Sequence, residues 1–230
     1  MAEMIRIALR AELRTALHIL GPGRAAALTD RPIELDPDGY PLIAASSIRG
    51  RLRAHLERLL AAYGQPVCAP PAAERMCPHG PARPDGGYCM ACRIFGSPWR
   101  EAGITTSDLL LDPDQRVDSS LLRGERTSVS ISRRLGTAQS ERLFALETTR
   151  PALDGAPLAF QGTLIGRIEP VEAGYLLAAV GLVTHAGGSK ARGLGELRLA
   201  ATSVDWRRAN AWVEADAHEL IEEALSHAAA

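Results

Sequence analysis

The chain has 230 residues, 46% of them hydrophobic and 23% charged, with a formal net charge of −1. That length and balance suit one large folded domain with a buried core. They carry no global sign of a membrane protein or of a polycationic nucleic-acid binder, so any surface for nucleic acid must be local. Lys190 is the only lysine among 26 basic residues, so arginine, the side chain suited to bidentate phosphate contacts, supplies nearly all the positive charge.

In chain order, the N-terminal MAEMIRIALRAELRTAL carries charges every few residues and no small-residue cleavage pattern, so it reads as neither signal peptide nor membrane span, and the expected compartment is the cytoplasm. Residues 4 to 14 alternate, with Ile5, Ile7, Leu9, Ala11 and Leu13 on one side and Arg6, Arg10, Glu12 and Arg14 on the other, which predicts a half-buried strand. Turn chemistry follows at 18–23 and at Asp36-Pro-Asp-Gly39, with Asp30 in the Thr-Asp-Arg-Pro segment between them. Ser46 or Ser47 then caps a predicted helix whose apolar residues Ile48, Leu52, Leu56, Leu59, Leu60 and Tyr63 recur at helical spacing, with Gly64 as its stop. Arg49, Arg51 and Arg53 crowd its first turns, and a helix start with free amides and arginines suits a phosphate.

Residues 65–98 are proline-rich without sustained periodicity and read as an insertion, ending in ACRIFGSP, the start of a short helix. Ser107 to Asp112 predicts a brief buried strand, and 113–140 an extended, arginine-rich, mostly exposed hairpin arm. Strands at Arg142–Thr148 and Leu158–Ile168 return to the sheet. Pro170 opens a buried helix to about His185, a glycine-rich loop spans Gly187 to Gly195, Glu196 to Trp206 is the last strand, and the tail after 210 is helical. The order strand, helix, strand, strand, helix, strand predicts an α+β fold, a ferredoxin-like (RRM-like) βαββαβ core in one domain over 1–230, with insertions at about 65–98 and 113–140.

Three constellations carry chemistry. Cys68, Cys77, Cys89 and Cys92 fall within one insertion, the last two at CxxC spacing, with His79 as a substitute ligand; they read as a structural zinc site or as reduced, unligated thiols. The Gly187–Gly195 loop lacks P-loop spacing and precedes a strand; with Lys190 and Arg192 it is either a phosphate cradle or a tight connection. Asp30 beside arginines either holds a divalent ion at a phosphodiester or caps a turn. His18, His55 and His185 are further titratable candidates, and His55, inside the helix, takes no role.

Taken together, TDRPIELDPDGYPLIAASSIRGRLR, CRIFGS, SISRRLGTA and GGSKARGLGELRL resemble, in order, signatures of the repeat-associated mysterious protein (RAMP) superfamily, in particular backbone subunits of type III CRISPR effector complexes. The resemblance implies that Asp30 matches the aspartate that cuts target RNA, aided by Mg2+ or Mn2+. It implies that Ser46, Ser47, Arg49 and Arg53 hold the guide RNA backbone, and that Gly187, Gly188, Lys190, Arg192 and Gly193 pack against guide phosphates. Arg133, Arg134, Gly136 and Thr137 fall on a thumb-like hairpin, and the cysteine insertion is similar to a zinc-bearing one. The partners implied are guide CRISPR RNA, complementary target RNA, and copies and relatives of the chain stacked head to tail, with no membrane. The sequence departs from the pattern at Ala44-Ala45, where Pro-Gly is usual, at Leu135, where threonine is, and at Leu28-Thr29, where small residues are. A catalytically inert RNA-binding subunit, or a stand-alone, metal-independent guide-RNA-processing endonuclease, are the alternative expectations.

Overall fold

The computed structural model describes residues 2–21, 29–80 and 87–226; the turn expected at Pro22-Gly23, Leu28, and part of the cysteine insertion lie outside them. The elements are β1 (Glu3–Leu13), β2 (Leu42–Ile43), α1 (Ala45–Ala62), α2 (Met90–Phe95), β3 (Ile104–Thr106), β4 (Leu109–Leu111), β5 (Arg123–Ile131), β6 (Ala138–Thr149), β7 (Ala152–Leu153), β8 (Ala156–Pro157), β9 (Ala159–Ile168), α3 (Pro170–Gly181), β10 (Leu197–Arg208), β11 (Ala211–Glu214) and α4 (Ala217–Ser226). The fold is α+β.

Among the described residues the main sheet has seven strands in the order β11-β10-β1-β9-β4-β2, with β3 also on β9, and every pairing is antiparallel. The alternation read in β1 is the physical pattern of a sheet with one covered face: Ile5, Ile7, Leu9, Ala11 and Leu13 are buried and join α1 and α3 residues in one apolar cluster. The charged side of β1 lies on the other face. There Arg6 pairs with Asp205 at 3.2 Å and sits over the Trp212 ring, while Arg10 pairs with Asp112 at 2.6 Å.

The long helix follows its periodicity, with Ile48, Leu52, Leu56 and Leu60 fully buried. Its C-terminus closes as a Schellman motif: Gly64, at φ +69°, donates to Ala61 O and Gln65 donates to Leu60 O. Its start differs from expectation. The helix begins at Ala45, so Ser46 and Ser47 lie inside its first turn, and the free Ala45 N–H donates instead to Asp108 Oδ1 at 2.7 Å, a cap supplied from the β3–β4 connection. α3 opens as read, on Pro170, with a capping box between Glu169 and Glu172, but ends at Gly181 rather than near His185.

The arm is also differently built. Two short 3-10 turns, Pro113–Gln115 and Ser119–Leu122, precede β5, and the arginines of this stretch are not all outward: Arg116 pairs with Asp36 and stacks over Tyr40, and Arg123 donates to Gly39 O, holding the Asp-Pro-Asp-Gly turn. The stretch Arg142–Thr148, expected in the main sheet, is instead the return strand of the arm, β6, which pairs with β5 in a separate two-stranded ribbon. Period-two alternation marks a strand but does not name its partner. No helix among the described residues is long and apolar enough to cross a membrane.

Candidate nucleic-acid cleft and metal cluster

Three stretches far apart in sequence converge on one cleft of about 530 Å³: His18 to Leu20 with Arg31, the first turns of α1 through Ser47, Gly50 and Arg51, and the glycine loop through Gly187, Gly188 and Ser189. Among the described residues its lining includes two arginines and no carboxylate, so the lining itself is cationic in a chain of net charge −1. Close backbone approach builds the glycine side. Gly188 N donates to His18 O at 2.8 Å, and a Cβ on Gly187, at φ +72°, would lie 2.3 Å from that same oxygen. His18 is buried, and its Nδ1 lies 2.8 Å from Glu147 O; a carbonyl only accepts, so Nδ1 carries the proton.

Asp30 lies next to this cleft, at the base of the β5–β6 arm. It is exposed; its Oδ2 accepts from Ala145 N at 2.8 Å, and its own N–H donates to Ala145 O. Arg31 bridges to Leu146, Ile33 N donates to Glu147 Oε2, and Thr149 exchanges bonds with Leu17. The acidic loop and the arm are therefore stitched together.

The second constellation is metal-like. The Sγ atoms of Cys68, Cys77, Cys89 and Cys92 all lie within 4.8 Å of one another, and all four residues are buried. Cys68 and Cys92 sulfurs are 3.5 Å apart, Cys89 and Cys68 sulfurs 3.8 Å. Zn–S bonds of about 2.3 Å place tetrahedral sulfurs about 3.8 Å apart, so the set fits a structural zinc ion. A hydrogen bond with Cys92 draws the Cys89 thiol down to about 4, whereas burial pushes Cys77 up to about 11 and the Cys89 contact pushes Cys92 up. One thiolate forms readily and the next ones resist, a repulsion that a divalent ion relieves. His79 stands apart from these four, edge-on to the Trp99 ring at 4.9 Å.

The model of the RAMP superfamily matches residues 10–198 of the chain. The chain belongs to the RAMP superfamily. It is also 36% identical over 87 residues to the CRISPR system Cms endoribonuclease Csm3 of Methanocaldococcus jannaschii, a match covering 37% of this chain and 31% of that relative's length.

Within this RAMP chain, the residues singled out in the sequence divide into groups. Ser47, Gly187 and Gly188 share the cleft. Lys190, Arg192 and Gly193 form the short turn just beyond it, where Arg126 from the arm reaches Arg192 O at 3.4 Å. Ser46 is exposed beside the cleft, and Arg133, Arg134, Gly136 and Thr137 occupy the exposed tip of the β5–β6 ribbon. Arg49 and Arg53 face elsewhere. Arg49 donates to the carbonyls of Phe95 and Ile104, and Arg53 to that of Gly96, so both clamp the segment after α2. In the sequence Arg51 stands only as one of three crowded arginines, and nothing local singles out Arg31. The helical period could have separated them: residues 47 and 51 lie about 40° apart around the axis, whereas 49 and 51 lie about 160° apart, so Arg49 and Arg53 fall on the opposite flank of the buried stripe. For Arg31 and Ser189, lining the cleft depends on the chain's tertiary path, and no local pattern marks it.

Proposed function

We propose that this chain is a guide-RNA-binding backbone subunit of a type III CRISPR interference complex, and that it cuts complementary target RNA as an endoribonuclease. The observation that carries the reading is the cationic cleft shared by the start of α1, the glycine loop and Arg31, with Asp30 beside it. Family membership and the Csm3 likeness support it. The strands β1, β3 with β4, β9 and β10, together with α1 and α3, correspond in this reading to a ferredoxin-like βαββαβ core over one domain, the β5–β6 ribbon to its thumb, and the segment at about 65–98 to a zinc-bearing insertion.

A guide strand in the cleft meets arginines, backbone amides and hydroxyls, groups that hold phosphate and 2′-hydroxyl without reading bases, so specificity belongs to base pairing. Arg31, Arg51, Ser47, Gly187 and Gly188 make the nearest contacts, with Ser46, Lys190, Arg192 and Gly193 continuing the path. Arg49 and Arg53 contribute by fixing the α2 end against α1. The arm tip, through Arg133, Arg134, Gly136 and Thr137, displaces a nucleotide of the guide and target duplex, leaving its 2′-hydroxyl in line with its own phosphate. A single carboxylate fits Mg2+ or Mn2+, which bind protein through one or two carboxylates and take further oxygens from phosphate, and such an ion would supply charge stabilisation at the scissile phosphate. Among the described residues nothing bonds Asp30 Oδ1, which would serve such an ion, while Oδ2, held by Ala145 N, fixes the carboxylate against the arm.

That same Oδ2 bond favours a second reading, an inert RNA-binding subunit in which Asp30 only docks the arm. Asp30→Asn separates the two, since an amide oxygen still accepts from Ala145 N but the charge is gone. In the assembled complex the variant is expected to keep RNA binding and lose target cleavage. Unchanged cleavage at the same sites assigns Asp30 the docking role alone. A stand-alone processing enzyme would instead cut repeat RNA as an isolated chain in EDTA. The near-neutral net charge suits a cytoplasmic subunit that stacks head to tail on copies and relatives of itself while one groove stays cationic.

A further inference from the structure

Arg53 belongs to α1, outside the cysteine insertion, yet its guanidinium reaches the cysteine cluster. Its Nη2 lies 3.6 Å from Cys92 Sγ, Nη1 donates to Gly96 O at 2.9 Å, and Nε donates to Glu57 Oε1 at 2.8 Å. The side chain is about three-quarters shielded, at 26% exposure. A backbone donor also serves the cluster, where Cys89 N donates to Cys77 Sγ at 3.3 Å. Four thiolates around a divalent ion leave net negative charge on a buried group, which calls for hydrogen-bond donors to sulfur and for a nearby cation.

We propose that Arg53 is the outer-sphere partner of this metal site, its guanidinium supplying both counter-charge and an N–H···S bond to the Cys92 thiolate, so that metal retention depends on a residue of α1. The inference rests on reading the four cysteines as a zinc site. A planar fork serves three acceptors in fixed directions, which one ammonium cannot do, so lysine is not an equivalent residue here. Glu57 shares the guanidinium through its Nε edge and draws part of its charge away from sulfur.

The test uses the full chain loaded with Zn2+, and separately with Co2+, whose thiolate-to-metal charge-transfer band reports on the sulfurs. Arg53→Gln is expected to weaken zinc retention against a chromogenic chelator by about 10- to 100-fold, the usual effect of losing an outer-shell partner, and to move the cobalt band to lower energy. Arg53→Lys, which keeps charge but not the fork, is expected to fall between wild type and Arg53→Gln. Glu57→Gln, which leaves Arg53 in place and frees its charge, is expected to hold metal at least as tightly as wild type. Wild-type retention and an unshifted band in Arg53→Gln overturn the proposal. So does Glu57→Gln losing metal as fast as Arg53→Lys, because Arg53 would then act only as a helix clamp, and this comparison decides the matter if Arg53→Gln does not fold. A wild-type chain that takes up neither ion overturns the zinc reading itself, a different failure.

Discussion

Gly187 and Gly193 share a left-handed backbone, at φ +72° and +78°, and differ in their surroundings: a Cβ on Gly187 would strike His18 O, whereas one on Gly193 meets nothing within 4 Å. Gly193→Ala should therefore cost only the conformational strain, about 1–2 kcal/mol, while Gly187→Ala adds overpacking of about 1–3 kcal/mol. Urea unfolding of the two variants checks the difference; equal losses would mean that the His18 approach is not what glycine serves there. On the open face of the sheet, Asp112 accepts from Arg10 and from Gln161 Nε2 at 2.8 Å, and the Arg10 bond holds its carboxyl below the usual range. A carboxyl depressed in the folded state contributes stability that is fully present above its unfolded value, about 3.9, and lost as pH falls through the folded value. Asp112→Asn should accordingly destabilise by about 1.5–3 kcal/mol at neutral pH, with the gap to wild type closing below about pH 4 in denaturation measured across pH. At this scale the sequence was legible where chemistry is local. Gly64 and Pro170 punctuate helices as their types require, but Asp108, which caps α1, sits 63 residues from the amide it serves, and no nearby pattern announces it.

At the scale of elements, β1 and α1 were legible because each buries one face at its own period over ten residues or more, and α3 because Pro170 opens a stretch rich in Ala, Leu and Val that is buried nearly all round. β2 and β11 were not: two and four residues are too few to show a period. The strand β6 pairs with β5 rather than with the main sheet, and its alternation could not show this, because side chains alternate between the two faces of a ribbon while the pairing runs through the backbone edge. The arm's physics is that of a projecting ribbon. Val129 lies opposite Leu143, with Ile131 on the same face, and all three are exposed, so little burial depends on the outer half of the ribbon. Arg133 and Arg134 at its tip can be removed together without disturbing the fold. The double alanine variant is expected to change unfolding free energy by less than about 0.5 kcal/mol. If the tip meets RNA phosphates, the slope of log binding constant against log salt should drop by about 1.4, from about 0.7 for each single-strand contact. Filter binding at a series of salt concentrations reads it, and an unchanged slope would remove the arginines from the RNA path.

At the scale of the whole molecule, the cysteine insertion is not an appendage. Cys68, Cys77, Cys89 and Cys92 belong to the same buried cluster as Ile48, Leu52 and Leu56 of α1 and Leu164 and Ile168 of β9, and Ile94 and Phe95 of α2 pack there too. Polar ties run the same way: Arg49 and Arg53 hold the α2 end to α1, and Arg93 pairs with the buried Glu172 of α3's capping box. An insertion with its own core would melt by itself when its metal is withdrawn, as small metal-ordered domains do. Here the four cysteines share the main core, so loosening them exposes apolar surface of α1 and leaves the Glu172 carboxylate with a loosened partner. Chelation of the zinc-loaded chain is therefore expected to lower the midpoint of a single, global thermal transition, read by far-UV circular dichroism for α1 and α3 and by the Trp99 fluorescence, taken as the difference from a Trp99→Phe variant because Trp206 and Trp212 also emit. Two separate transitions, with the Trp99 signal lost first and the helices melting at the original temperature, would show that the insertion and the sheet are energetically independent despite their common core.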